Sequence, residues 1–179
     1  HHEDLRKLYG DQFFNKRHRK GVNRYESYKA MKDRNHFGCM LINNGEADGM
    51  ISGLSRNYPD TIRPALQIIG TEPGVKKIAG MYIMFTKRGP LFLADTTVNF
   101  NPTAEELAEI TLLVAKEVKQ FNIKPRIAML SYSNFGSSDS PEANLVRRAR
   151  EIVKEKDPTL ICDGDVQGIL AFNKEILRE

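Results

Sequence analysis

The chain has 179 residues, enough for one domain or two small lobes with a real core. A hydrophobic fraction of 40% and a charged fraction of 28% describe an ordinary soluble globular protein, and no run approaches the ~18 apolar residues of a membrane span. The net charge of +4, from 27 Lys and Arg against 23 Asp and Glu, is concentrated in Lys16-Arg17-His18-Arg19-Lys20. No aromatics interleave that run and no nucleic-acid-binding module surrounds it. It reads as a solvated helix end or as a grip on a small anion, and neither nucleic acid nor membrane is an expected partner. The start is not an export signal, and Cys39 and Cys162 stand far apart in apolar surroundings, as free thiols do in a reducing cytoplasm. No CxxC or HxxxH spacing offers a zinc site.

In chain order, residues 4–18 and 24–34 read as helices of mixed charge separated by Gly21. The second carries Tyr25, Tyr28 and Met31 on one face. Phe37 to Ile42 is a short apolar segment of helical character, closed by Asn43-Asn44-Gly45. Glu46 and Asp48 read as turn formers beside glycine or as an acid–base pair, and Met50 to Gly53 as a brief strand. Thr61 to Ile69 is a short helix with Pro64 early enough to be tolerated, and Thr71-Glu72-Pro73-Gly74 is a turn.

Ile78 to Thr86 and Leu91 to Ala94 form a hairpin joined by the four residues Lys87-Arg88-Gly89-Pro90. Helix 104–121 is the best marked, because Thr103 and Glu106 make a capping box. Leu107, Ile110, Val114, Val118 and Phe121 form its apolar stripe, read as core. Strand 126–130, helix 141–155 and a short strand over Leu160 to Cys162 follow. Asp163-Gly164-Asp165 reads as a loop and 168–178 as a final helix.

Strands alternating with helices imply an α/β fold with a mainly parallel sheet covered on both faces and one antiparallel hairpin. Ligands in such sheets gather beyond the C-terminal strand ends, which makes Asp95 to Asn99, Ser131 to Ser138 and Asp163 to Gln167 candidates to face one cleft. In Ser131-Tyr132-Ser133-Asn134-Phe135-Gly136-Ser137-Ser138-Asp139-Ser140-Pro141 an apolar strand runs into hydroxyls and then a helix start. Uncapped N–H groups and a positive dipole end there suit a phosphate or carboxylate. The other reading is a solvated loop whose serines compete to cap the helix. No GxGxxG or GxxxxGK[ST] is present, and His18 and His36, in polar helical segments, do not suggest Ser-His-Asp chemistry.

Several ordered blocks carry a resemblance across essentially the whole chain. They are Ala47-Asp48-Gly49, Thr61-Ile62-Arg63-Pro64-Ala65-Leu66-Gln67, Ala94-Asp95-Thr96-Thr97-Val98-Asn99, Asn101-Pro102-Thr103-Ala104-Glu105, Met129-Leu130-Ser131-Tyr132-Ser133 and Asp163-Gly164-Asp165-Val166-Gln167. They resemble the phosphate acetyl/butyryltransferase family. The resemblance implies a three-layer α/β/α architecture of two lobes, like the isocitrate and isopropylmalate dehydrogenases, with a mainly parallel mixed sheet and acyl-CoA and phosphate bound between the lobes. Residues 1–60 would belong to the first lobe and 61–179 to the second.

Two blocks separate branches of that family. Ser133-Asn134-Phe135-Gly136-Ser137-Ser138 and Ser55-Arg56-Asn57-Tyr58-Pro59 depart from the transferases and resemble the C-terminal domains of hybrid NADP-dependent malic enzymes. That branch implies a regulatory, oligomer-forming module with acetyl-CoA as effector. NADP, a divalent metal and malate decarboxylation would belong to upstream domains. The alternative is a phosphate acetyltransferase.

Arg17 and Arg63 match positions where transferases hold CoA or phosphate. With Arg56, Ser131, Ser133, Asn134, Gly136, Ser137 and Ser138 they form the candidate binding set for an acyl-CoA or phosphate ligand, the serine bend and Arg63 facing one anion. Measured against the family, the chain lacks the first part of the first lobe and stops before the closing strands. The later Ser-Arg-Gly segment and its proposed aspartate base have no counterpart, so no catalytic residue is assigned.

Overall fold

The computed structural model describes residues 2–95 and 97–173, the side chain of His2 excepted. It divides into two units, His1–Gly74 and Val75–Glu179.

The first unit is helical: α1 (His2–Arg17), one 3₁₀ turn (His18–Lys20), α2 (Arg24–Ala30), α3 (Arg34–Asn43) and α4 (Tyr58–Ile68). Asn23 and Glu26 make a reciprocal capping box that starts α2. That helix stops at Ala30, short of the expected residue 34, because Asp33 is the N-cap of the next helix and accepts the His36 amide at 3.1 Å. Tyr9, Phe13, Met31, Cys39, Met40 and Ile68 form the core of the unit.

Two expectations fail here. Met50 to Gly53 is exposed open chain, with no strand alongside it to complete a ladder among the described residues. Helix α4 begins three residues early, because Asn57 caps the Asp60 amide at 3.0 Å and Pro59 sits in the first turn. Pro64 therefore lies in the helix interior, where it leaves the Asp60 carbonyl without its helical donor. This helix packs within the first unit, against α3.

The second unit holds β1 (Met81–Thr86), β2 (Gly89–Ala94), α5 (Ala104–Gln120), β3 (Arg126–Leu130), α6 (Pro141–Lys156), β4 (Ile161–Val166) and α7 (Gly168–Phe172). The hairpin register pairs Thr86 with Gly89, so two residues turn the chain instead of four. The Thr86 hydroxyl braces the turn, donating to the Gly89 carbonyl at 2.7 Å and accepting from the Arg88 amide at 3.1 Å.

Helices α5 and α6 pack together, and their Ala108, Ala115, Ala149, Ile152 and Val153 share one core with Met129 and Cys162 of the sheet. Of the predicted stripe, Ile110 and Val118 are buried, whereas Phe121 is half exposed and rests against Phe92. Both cysteines are free and buried.

Among the described residues the strands do not join into one sheet: β1–β2 is antiparallel and β3–β4 parallel, each a separate pair. Alternation of elements along a sequence predicts strands but not which edges find each other. Strand β4 also runs through Asp163-Gly164-Asp165, which was expected to be loop. A Cβ at Gly164 would stand 2.3 Å from the Met129 carbonyl oxygen, and its φ is +137°, so only glycine lets the strands approach this closely. Residues 174–178 of the expected final helix and Thr96 lie outside the described residues. Among the described residues, no helix is long and apolar enough to cross a membrane.

Candidate functional site

In the first unit a cavity of about 410 Å³ is lined by Asp33, His36, Ser55, Arg56, Asn57, Asp60, Arg63 and Pro64. Its walls follow from the helix starts. Asp33 caps α3, Asn57 caps α4, and Arg63 stands less than two turns beyond the second cap. The positive end of α4 therefore faces the same space as two guanidinium groups.

Each arginine has a carboxylate of its own, but the two pairs differ. Arg56 is held tightly by Asp33. The same carboxylate accepts from His36 Nδ1 at 2.8 Å, and His36 Nε2 lies 3.4 Å from Gln67. Burial pushes the Asp33 carboxyl up, yet hydrogen bonds from His36 and Arg56 outweigh it and hold the group below its ordinary value. Arg63 and Asp60 are 3.7 Å apart with both side chains at least half exposed, a pair worth little in water. Of the two guanidinium groups, Arg63 is thus the loosely held one and Arg56 the fixed one. Arg17, the last residue of α1, is not among the lining residues, and its buried Nε has no partner.

The serine bend of the second unit is built differently. The Ser131 amide donates to the Val166 carbonyl at 2.9 Å, and the Phe135 amide to that of Asp165 at 2.7 Å. The Gly136 amide reaches the Asp165 carboxylate at 3.2 Å, and the Asn134 amide the Ser137 hydroxyl at 3.0 Å. Ser133 and Ser137 hydroxyls are 3.1 Å apart, and the Asn134 carboxamide accepts the Gln167 amide at 2.9 Å. Ser138 takes up the Ser140 amide at 3.3 Å, and Ser140 caps α6 through Ala143. The amides that sequence reasoning offers to an anion are therefore largely used by the protein itself.

Asp165 organises this bend. It is fully buried and receives Arg147 Nη1 at 3.2 Å. Burial pushes its carboxyl up, but bonds from Ser133 and Gly136 and the charge of Arg147 prevail, so it is ionised at neutral pH. Arg147 also donates to the Ser138 carbonyl at 2.8 Å, and Arg150 reaches the Gly164 carbonyl at 3.0 Å. Sequence reasoning places Asp165 only within a cleft-facing stretch and weighs His36 only for triad chemistry, and it passes over Arg147 and Asp33. The available signal was two arginines three apart on a helix, followed by Asp-x-Asp at the next strand. Asp95 sits at φ 55° and accepts from the Asn99 side chain at 2.8 Å, which is turn chemistry. Among the described residues no group of three or more His, Cys, Asp and Glu could hold a metal ion.

A family model described as phosphate acetyl/butaryl transferase matches residues 1–179. The phosphate acetyltransferase of Bacillus subtilis is 46% identical over 147 residues, covering 82% of this chain and 46% of that protein. The NADP-dependent malic enzyme of Escherichia coli is 39% identical over 171 residues, covering 95% of this chain and 22% of that enzyme. The crystal structure of a phosphotransacetylase from Streptococcus pyogenes superposes with a TM-score of 0.85 at 39% identity, over 96% of this chain and 52% of that one. The chain thus spans about half the length of these phosphotransacetylases and about a fifth of the malic enzyme.

Proposed function

Because the chain belongs to the phosphate acetyl/butaryl transferase family, we propose that it serves the exchange of an acyl group between CoA and phosphate. A phosphate oxygen attacks the thioester carbonyl, the carbon–sulfur bond breaks, and CoA leaves as the thiol after taking a proton. The protein's part is positional and electrostatic: fixed donors hold the phosphate against the carbonyl and favour the charge that develops there.

The observation that carries this reading is the cavity of the first unit, where Arg63 is loosely paired and Arg56 is clamped beside the start of α4. Ser131, Ser133, Asn134, Gly136, Ser137 and Ser138 form a rigid second set of candidates, and Arg17 is a further one. The same reading takes the two units as parts of a three-layer α/β/α architecture of the isocitrate dehydrogenase kind.

The test is formation of acetyl phosphate from acetyl-CoA and phosphate, alongside phosphate binding. Arg63→Ala is expected to weaken phosphate binding by roughly ten- to a hundredfold, the loss of one charge-assisted contact, with stability nearly unchanged. Unaltered phosphate affinity in that variant would sink the assignment of Arg63.

A second reading is favoured by the match to the malic enzyme over 95% of the chain and by the self-satisfied serine bend. In it the domain binds acetyl-CoA as an effector and forms a homo-oligomer, without turnover. NADP, a metal ion and malate belong to other domains of such an enzyme. Acetyl-CoA binding with no acetyl phosphate formed, and acetyl-CoA inhibition of malate-dependent NADPH production in the parent enzyme, would select it.

A further inference from the structure

A second cavity in the first unit, of about 540 Å³, has a different chemistry. Its apolar surface comes from Met31 at the end of α2, Phe37 and Leu41 on α3, and Met50, Ile51 and Leu54 on the open chain. Met50 lies down over Gly38, where a Cβ would stand 2.5 Å from the thioether sulfur. Ile51 and Leu54 are fully exposed, a costly arrangement for aliphatic side chains with nothing to cover them.

The charge around this cavity is one-sided. Arg6, Lys32 and Arg34 line it, and no carboxylate does. Elsewhere in the unit three arginines each hold an acid, Arg24 with Asp11, Arg56 with Asp33 and Arg63 with Asp60. Arg34 instead donates to the Ser55 hydroxyl, and Arg6 and Lys32 make no ion pair among the described residues. Asn35, 1% exposed, also belongs to the lining. Its Oδ1 accepts from Ser52 at 2.8 Å while its buried Nδ2 has no partner. An oxygen from a bound molecule is the acceptor that amide lacks.

We propose that this cavity binds a medium-chain aliphatic carboxylate, its chain against Phe37, Leu41, Met50 and Leu54 and its charge among Arg6, Lys32 and Arg34. The binding stands independently of any acyl transfer. Cavity volume and the mix of apolar wall with a few polar groups fit a small-molecule site.

The test uses the full chain with its methionine methyls labelled with carbon-13, titrated with octanoate. Saturable shifts are expected at Met31 and Met50, with Met84 and Met129 of the second unit unmoved. Hexanoate should bind up to about fifteenfold more weakly, since it is two methylenes shorter and each is worth up to about fourfold. Octanol and acetate, which lack the charge or the chain, should each fall well below octanoate. The double variant Arg6→Gln, Lys32→Gln, both side chains being exposed, should lose several-fold in octanoate affinity and keep its melting temperature. Leu54→Asp should do the same.

Octanol binding as well as octanoate would overturn the proposal, as would undiminished affinity in the double variant. So would the absence of a saturable shift at millimolar octanoate, or equal shifts at Met84, which mark detergent-like association. Loss of transferase activity or of phosphate binding elsewhere in the chain bears on none of these readings.

Discussion

The cavity at the start of α4 and the bend at the start of α6 share one recipe, a polar loop, a capped helix and an arginine, and reach opposite outcomes. At α4 the nearest acid, Asp60, holds Arg63 loosely at 3.7 Å in the open. At α6 the nearest acid, Asp165, is fully buried and has gathered Arg147, the Gly136 amide and the Ser133 hydroxyl. A helix start is available to a ligand only to the extent that its donors lack a better partner inside the protein. Exposure of the competing carboxylate decides which case applies.

The largest effect that would break this contrast comes from Asp165→Ala. Removing the buried carboxylate strands Arg147 and the Gly136 amide, and about 3–5 kcal/mol of stability should be lost in denaturant unfolding. The acid response has a definite sign. The folded carboxyl titrates below its ordinary 3.8. Its contribution is therefore whole above that value and is lost as pH falls through the lower, folded value. Asp165→Asn should flatten the stability profile in that strongly acid range. An unchanged profile would deny Asp165 its place at the centre of the bend.

Gly164→Ala comes next. Its new methyl meets the Met129 carbonyl at a backbone angle side chains rarely adopt, so a loss on the order of 3 kcal/mol is expected by thermal or denaturant unfolding. Asn57→Ala sharpens the other side of the comparison. It removes a single cap at the open site and should cost about 1 kcal/mol. If it cost as much as the Asp165 variant, the two helix starts would not differ in the way described.

Helices α5 and α6 were legible because their starts are chemical: Thr103 with Glu106, and Ser140 before Pro141, announce themselves in any context. What stayed hidden depended on partners distant in sequence. Asp163-Gly164-Asp165 has the composition of a turn, but it pairs with β3 as strand, and Arg147 and Arg150 on the preceding helix take up its two carboxylates. Met50 to Gly53 has the composition of a strand, but among the described residues no neighbouring backbone completes it. The early start of α4 escapes the sequence reading because Asn57 is not weighed there as a cap or Pro59 as a first-turn residue. The candidate residues Arg56 and Arg63 do line one cavity, and the carboxylates that distinguish them could not be assigned from spacing alone.

One side chain in the first unit has two duties. Asp33 both ends the unwound stretch before α3, by receiving the His36 amide, and anchors Arg56. Hydrogen exchange at that single amide is therefore a gauge of whatever draws the guanidinium away. The guanidinium holds one carboxylate oxygen and the amide the other, so a ligand that draws Arg56 away frees the carboxylate to turn, and the exchange clock at His36 quickens although the ligand never touches it.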